Sequence, residues 1–231
     1  MGEPLGLEGR RAGATPIPTQ DVHDFRFRAL LGAGAWNRLP SGVQARFSKR
    51  LLPGAAVTYV GEIVESRRTW AGFLLTQLCR VVGAPLPLHD AVGAPAVVTV
   101  TEDGRTGGQF WTRMYGQDRG FPQVIHSSKR FGGPTGLEEY LGRGVGIALT
   151  VRADEQALHF LSRHYFLALG GVRLRLPRWM APGDLTISHI DRGEGAFAFV
   201  LALRHPLLGE IINQTGVFHD GRTHAASEAP R

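Results

Sequence analysis

The sequence predicts an α+β fold: a curved, largely antiparallel β-sheet or open barrel of about eight or nine strands, with two or three N-terminal helices packed on it. Three observations predict it. Helical periodicity stops at Val82, and beyond it the chain reads as short strands separated by turn residues at meander-like spacing. No strand–helix–strand alternation occurs, which argues against a parallel sheet. Residues 196–203 are apolar on both faces, with Phe197, Phe199, Leu201 and Leu203 on one and Ala196, Ala198, Val200 and Ala202 on the other. Such a strand is expected at the centre of a sheet, covered from both sides.

The elements follow in order. Residues 1–20 lack periodicity and read as a disordered tail, residues 21–220 as one domain, and residues 221–231 as a second tail. A helix is predicted over 22–31, capped by Asp21 and ended by Gly32, and another over 41–51, where Val43, Phe47, Arg50 and Leu51 share a face. Trp36 falls in a turn between them and is expected to anchor both helices on the sheet. Residues 55–65 form a strand with Val57, Tyr59, Gly61, Ile63 and Glu65 on one side. A helix over 67–82 follows, capped by Ser66 and ended by Gly83 and Pro85. Trp70, Phe73, Leu74, Gln77, Leu78 and Val81 make one face, and Leu75, Cys79 and Val82 a second apolar strip. Little of this helix is left for water, so it lies between two layers or across the mouth of a curved sheet.

The remainder reads as β. Residues 96–101 and 109–115 pair around Asp103-Gly104, and residues 121–131 form a strand ended by Gly132-Gly133-Pro134. Residues 145–151 and 157–169 pair around Asp154, one short strand lies within the following loop, and three strands fill 184–218. Glu138-Glu139 and Asp191 to Glu194 read as exposed turns, their charges solvated.

Composition narrows the function classes. The chain has 231 residues, 43% of them hydrophobic, a mean hydropathy of −0.08 and no apolar run approaching a spanning helix. Without an apolar leader the location is expected to be cytoplasmic. The lone Cys79 allows no internal disulfide and reads as a buried, inert thiol. A net charge of +6 and a pI near 10.2 invite a nucleic-acid reading. The arginines are scattered, however, and the short groups Arg46-Lys49-Arg50 and Arg173-Arg175-Arg178 carry no interleaved aromatics. Nucleic acid is therefore not the expected partner.

Four segments carry a resemblance. Leu30, Leu31, Gly32, Trp36, Leu39 and Pro40 form the first; Trp111 and Arg113 the second; Leu176, Pro177, Trp179, Met180 and Pro182 the third; Pro206, Leu207 and Gly209 the fourth. In this order they resemble the domain of unknown function 4166 family of bacterial proteins, over roughly residues 25–220. Members often follow a saccharopine-dehydrogenase-like nucleotide-binding domain, which implies an oxidoreductase as a partner. The family carries no established activity to transfer. This chain itself has no strand followed by GxGxxG, so no dinucleotide cofactor is expected.

Direct searches for chemistry return little. The histidines form no HxH or HExxH, a distributed metal site joining His126, His164 and His189 would need the fold to bring them together, and no GxSxG surrounds Ser66, Ser162 or Ser188. No catalytic residue and no metal site is expected. What remains is polar groups on apolar strands: Gln109, Trp111, Arg113 and Tyr115 on one strand face, and Arg163, His164 and Tyr165 on another strand. The expected site, Trp111, Arg113, Tyr115, Arg163, His164 and Tyr165, suits non-catalytic binding of a small amphipathic, lipid-like ligand. Arg113 or Arg163 would take an anionic head inside an enclosed cavity of at least about 300 Å³. The same residues fit the wet outer face of a sheet slightly better, since Arg, Gln and Tyr are common there. An enzyme or accessory domain serving an oxidoreductase, and an interaction domain using an exposed edge or apolar patch, are the other two readings.

Overall fold

The computed structural model describes residues 22–51, 55–83, 85–88 and 92–221. The tail read over 1–20 lies outside these residues, as does Asp21, and of 221–231 only Gly221 falls within them. The architecture is a closed antiparallel barrel. Its wall comprises β3 (Ala56–Arg68), β4 (Pro95–Asp103), β5 (Gly108–Tyr115), β6 (Gln123–Arg130), β7 (Leu137–Gly142), β8 (Val145–Ala153), β9 (Ala157–Leu169), β11 (Asp184–Gly193), β12 (Ala196–His205) and β13 (Gly209–Asp220). Each pairs with its neighbour in sequence, and β13 pairs with β3 to close the circle. The short β10 (Val172–Arg175) hangs on the end of β9.

The sheet class is as expected, but the wall has ten strands and is closed. β7 is the strand not anticipated: its adjacent glutamates suggest a turn, yet Leu137, Glu139 and Leu141 alternate inward and Glu138 outward. β12 also differs from expectation. Phe197, Leu201 and Leu203 belong to the inner core, while the small Ala198, Val200 and Ala202 form the outer face of the wall. Register shifts interrupt five of the ladders, among them one beside Val64 where β3 meets β13 and one at Arg163 where β9 meets β8.

The helices close the ends rather than coat the sheet. α1 (Arg26–Leu31), α2 (Ala33–Arg38) and α3 (Ser41–Phe47) plug one mouth, with a two-residue pairing of β1 (Val22–His23) and β2 (Lys49–Arg50) beside them. α1 starts later than expected, and Asp24 accepts from the Arg26 backbone N–H at 3.0 Å. Trp36 sits inside α2, buried as packing requires, and Arg50 has left the helix. Phe27 is completely buried, edge-on to Phe47, Phe131 and Phe160. The second mouth is crossed by α4 (Trp70–Cys79), capped by Thr69 and continued by one 3-10 turn over Arg80–Val82. Gly83, in the left-handed region at φ 104°, ends it as predicted. α4 is shorter than the predicted helix, and much of it faces water after all: Leu75 and Cys79 face the barrel, while Trp70, Leu74 and Leu78 face out. With two apolar strips the sequence leaves the inward one undecided. The close approach at Gly72 decides it, since any side chain there would overlap the Ile211 carbonyl of β13.

Candidate functional site

The barrel interior is built by strand alternation. β5 turns Gln109, Trp111, Arg113 and Tyr115 inward, β6 turns Ile125, Ser127 and Lys129, and β7 turns Glu139. Four of these come together at mid-height. Glu139 lies 3.2 Å from Arg113 Nη2 through Oε1 and 3.2 Å from Lys129 Nζ through Oε2. Arg113 also donates to the Ser127 hydroxyl. The Lys129 ammonium rests 4.6 Å from the Trp111 ring centre and 5.4 Å from that of Phe160. Trp111 Nε1 donates to Gln109 at 3.2 Å.

Burial and charge work against each other here. Burial alone would raise the Glu139 pKa, but Lys129, Arg113 and the Ser127 hydroxyl hold it down at about 2. Burial pulls the Lys129 pKa below its ordinary value, opposed by the Glu139 charge and assisted by Arg113. Two basic side chains face one carboxylate, so with Lys129 protonated the cluster has one positive charge in excess. Arg113 Nε, buried, has no hydrogen-bond acceptor among the described residues.

The cluster separates two chambers. The upper one, under α4, is lined by Arg113, Glu139, Leu75, Ile147, Tyr165 and Leu203 and has a volume of about 60 Å³. The lower one, above α3, has about 40 Å³ between Arg46, Trp111, His189 and Phe197. A neck of about 20 Å³ beside Tyr115 and Gln214 joins their linings. Each holds a few waters at most. Neither chamber, nor the neck between them, approaches the enclosed cavity of about 300 Å³ expected for a preformed pocket. Trp111, Tyr165, Phe199 and the ionic cluster occupy that space. Burial raises the Tyr115 and Tyr165 pKa values, so both phenols stay protonated. In the lower chamber Arg46 Nε donates to His189 Nε2 at 2.8 Å and Nη2 to Asp191 at 2.7 Å. His189 must therefore carry its proton on Nδ1, which finds no partner among the described residues. Burial first, then Arg46, drives its pKa well below the ordinary value.

Of the six residues predicted from sequence, the structure brings Trp111, Arg113, Tyr115 and Tyr165 into the lumen. Arg163 and His164 are not among them. Arg163 occupies the bulge between β8 and β9, which turns Arg163 to solvent and His164 to the outer wall and returns Tyr165 to the inside. Four members of the site were missed. Ser127 and Lys129 follow Ile125 at strand spacing, a signal that could have placed both. Glu139 lacked one, because its partners lie on other strands. Arg46 was noticed only as part of a basic group.

The match with known families is decided by extent: the model for "Domain of unknown function (DUF4166)" covers residues 39–218. The chain belongs to this family. Comparison of the DUF4166 chain with curated proteins and with solved structures returns no match in either. The family match starts at Leu39, so Leu30, Leu31, Gly32 and Trp36 precede it. It takes in the whole DUF4166 barrel from β3 to Phe218, including every member of the ionic cluster.

One other constellation invites chemistry. On the outer wall of the DUF4166 barrel, His159 Nδ1 lies 2.8 Å from Ser188 Oγ, and its Nε2 lies 2.9 Å from Asp154. Ser188 is nevertheless in mid-strand, with β9 on one side and β12 on the other, so the surrounding backbone donors are bound in ladders and build no oxyanion hole. The trio pins the β8–β9 turn to β11, with Asp154 also accepting from the backbone of Gln156 and Ala157. No group of three potential metal ligands occurs among the described residues; His189 lines the lower chamber, while His126 and His164 sit on the outer face of the wall.

Proposed function

We propose that the DUF4166 barrel binds a small amphipathic ligand with an anionic head, non-catalytically. Arg113 takes the head, and the apolar body lies in the upper chamber against Leu75, Ile147, Leu185 and Leu203. One observation carries this reading: the surplus positive charge at the floor of an apolar chamber, with Arg113 Nε unpartnered. Burying an unpaired charge costs several kcal/mol, and a carboxylate or phosphate delivered by a ligand would offset that cost. Since the chamber holds only a few waters, a ligand enters by shifting α4. That helix is short and rests on the mouth through Leu75, Cys79 and Gly72; Arg68 lies 3.5 Å from its Thr76 hydroxyl and donates to the carbonyls of Pro87 and Leu88, beyond the helix, at 3.0 Å each.

The experiment is titration of the full chain with a dansylated eleven-carbon carboxylic acid and with its methyl ester. The acid is expected to bind at least about tenfold more tightly, in line with a charge-assisted contact to one guanidinium. Arg113→Met removes that preference. Equal binding of acid and ester, or no binding of either, refutes the reading.

A further inference from the structure

The two ends of the barrel differ sharply in surface chemistry. In an up-and-down barrel alternate connections emerge at the same end, so α4 and the loops 116–122, 143–144, 170–183 and 206–208 form one rim. Of the twenty exposed large apolar residues among the described ones, fourteen lie on this rim or on the β9–β10 hairpin extending from it, and only Phe25 lies at the opposite end. Several project almost wholly into solvent: Phe121 is 92% exposed, Leu207 88%, Trp179 82%, Trp70 72% and Leu78 71%. Side chains so exposed contribute nothing to folding, and scattered singletons would have no such polarity. Arg80, Arg119, Arg143, Arg175 and Arg178 stand exposed among them, against the carboxylates of Asp118, Asp184 and Glu210.

We infer that this rim docks on an anionic lipid bilayer, with the bulky side chains inserted at the headgroup level and the arginines against lipid phosphates. The arrangement favours a bilayer over a protein partner. Four of these five segments, all but 143–144, each offer one or more bulky residues around an annulus, and this suits a fluid planar surface better than a groove fitted to one shape. The charge excess matches anionic lipid. The docked rim also encircles α4, the lid of the upper chamber, which would open the barrel toward the source of an amphipathic ligand. That consequence rests on the proposed ligand; the docking itself does not.

Flotation of the full chain with phosphatidylcholine vesicles, with and without phosphatidylglycerol, tests it. The expected result is partition onto the anionic vesicles, at least about tenfold weaker onto neutral ones and lost in high salt. A blue shift of tryptophan emission should accompany it, arising from Trp70 and Trp179 since Trp36 and Trp111 are buried. The double variant Trp179→Ala/Leu207→Asp is expected to abolish partition with an unchanged circular dichroism spectrum, and Phe25→Glu at the far end to leave it intact. Arg113→Met should dock normally, which separates this inference from the ligand reading. No partition onto anionic vesicles, partition insensitive to the double variant, or light scattering showing that the double variant instead dissolves a dimer would each overturn it.

Discussion

Replacing Glu139 by Gln strips the carboxylate shared by a buried pair of cations. Holding the Glu139 pKa at about 2 instead of 4.5 corresponds to about 3 kcal/mol of stability at neutral pH. Breaking a buried ion pair by removing one partner costs about 3–5 kcal/mol by general experience, in agreement. Glu139→Gln should therefore lose about 3 kcal/mol in urea denaturation at pH 7. The sign with pH follows from the direction of each shift. A depressed carboxylate contributes stability that is complete above its unfolded value and lost as pH falls through 4.5 toward 2. The parent should show that loss, and the variant should be flatter across the same window. A depressed Lys129 acts oppositely: the unfolded chain binds the extra proton, so stability rises as pH climbs toward 10.5, more steeply once Glu139 is gone. Adding Lys129→Met to Glu139→Gln removes one stranded cation and should recover at least half of the loss. A single variant within 1 kcal/mol of the parent at pH 7, a threshold well below the usual cost of an orphaned buried charge, refutes the reasoning. So does a double variant less stable than the single.

Other expectations follow from the same geometry. Phe27→Ala, which empties the aromatic centre of the lower plug, should cost about 3–5 kcal/mol by calorimetry. Gly72→Ala drives a methyl group into the Ile211 carbonyl; it should lower the melting temperature and speed hydrogen exchange in 70–79 well before exchange in β12. Arg163→Ala should leave binding of the dansylated acid unchanged, in contrast to Arg113→Met. His189, neutral by burial beside Arg46, should show ring-proton NMR shifts that do not move as pH drops through 6.5. Because the unfolded chain takes up that proton first, His189 withdraws stability as pH falls below 6.5.

What could be read in the sequence depended on locality. Hairpins marked by Asp103-Gly104 and Asp154 fell where expected because alternation and turn chemistry lie within a few residues. The site was half legible for the same reason. Trp111, Arg113 and Tyr115 are three positions of one regular strand, so their common face was secure. Arg163, His164 and Tyr165 span a bulge, and an extra residue in one strand leaves no mark that alternation can detect. Glu139 shows the deeper limit. Its glutamate pair looks like a solvated turn until Arg113 and Lys129 arrive from β5 and β6, and only closure of the wall makes its burial tolerable. The helix over the mouth was located but its inward strip was left open, since two apolar strips compete and the decision rests on a backbone approach at Gly72.

Closure of the wall by β13 on β3 also bears on how the chain reaches its fold. The pairing joins Thr215 to Glu65 and Phe218 to Gly61, partners separated by nearly the whole length of the barrel, so the last ladder formed carries the largest loop-closure cost. Thr69 at the head of α4 donates its backbone N–H to Ile211, which makes the lid, too, wait for the final strand. During synthesis the first nine wall strands must stand as an open sheet with β3 and β12 as bare edges until residues 209–220 leave the ribosome. A chain interrupted just before Gly209 would keep both edges, and its natural fate is to pair with another copy.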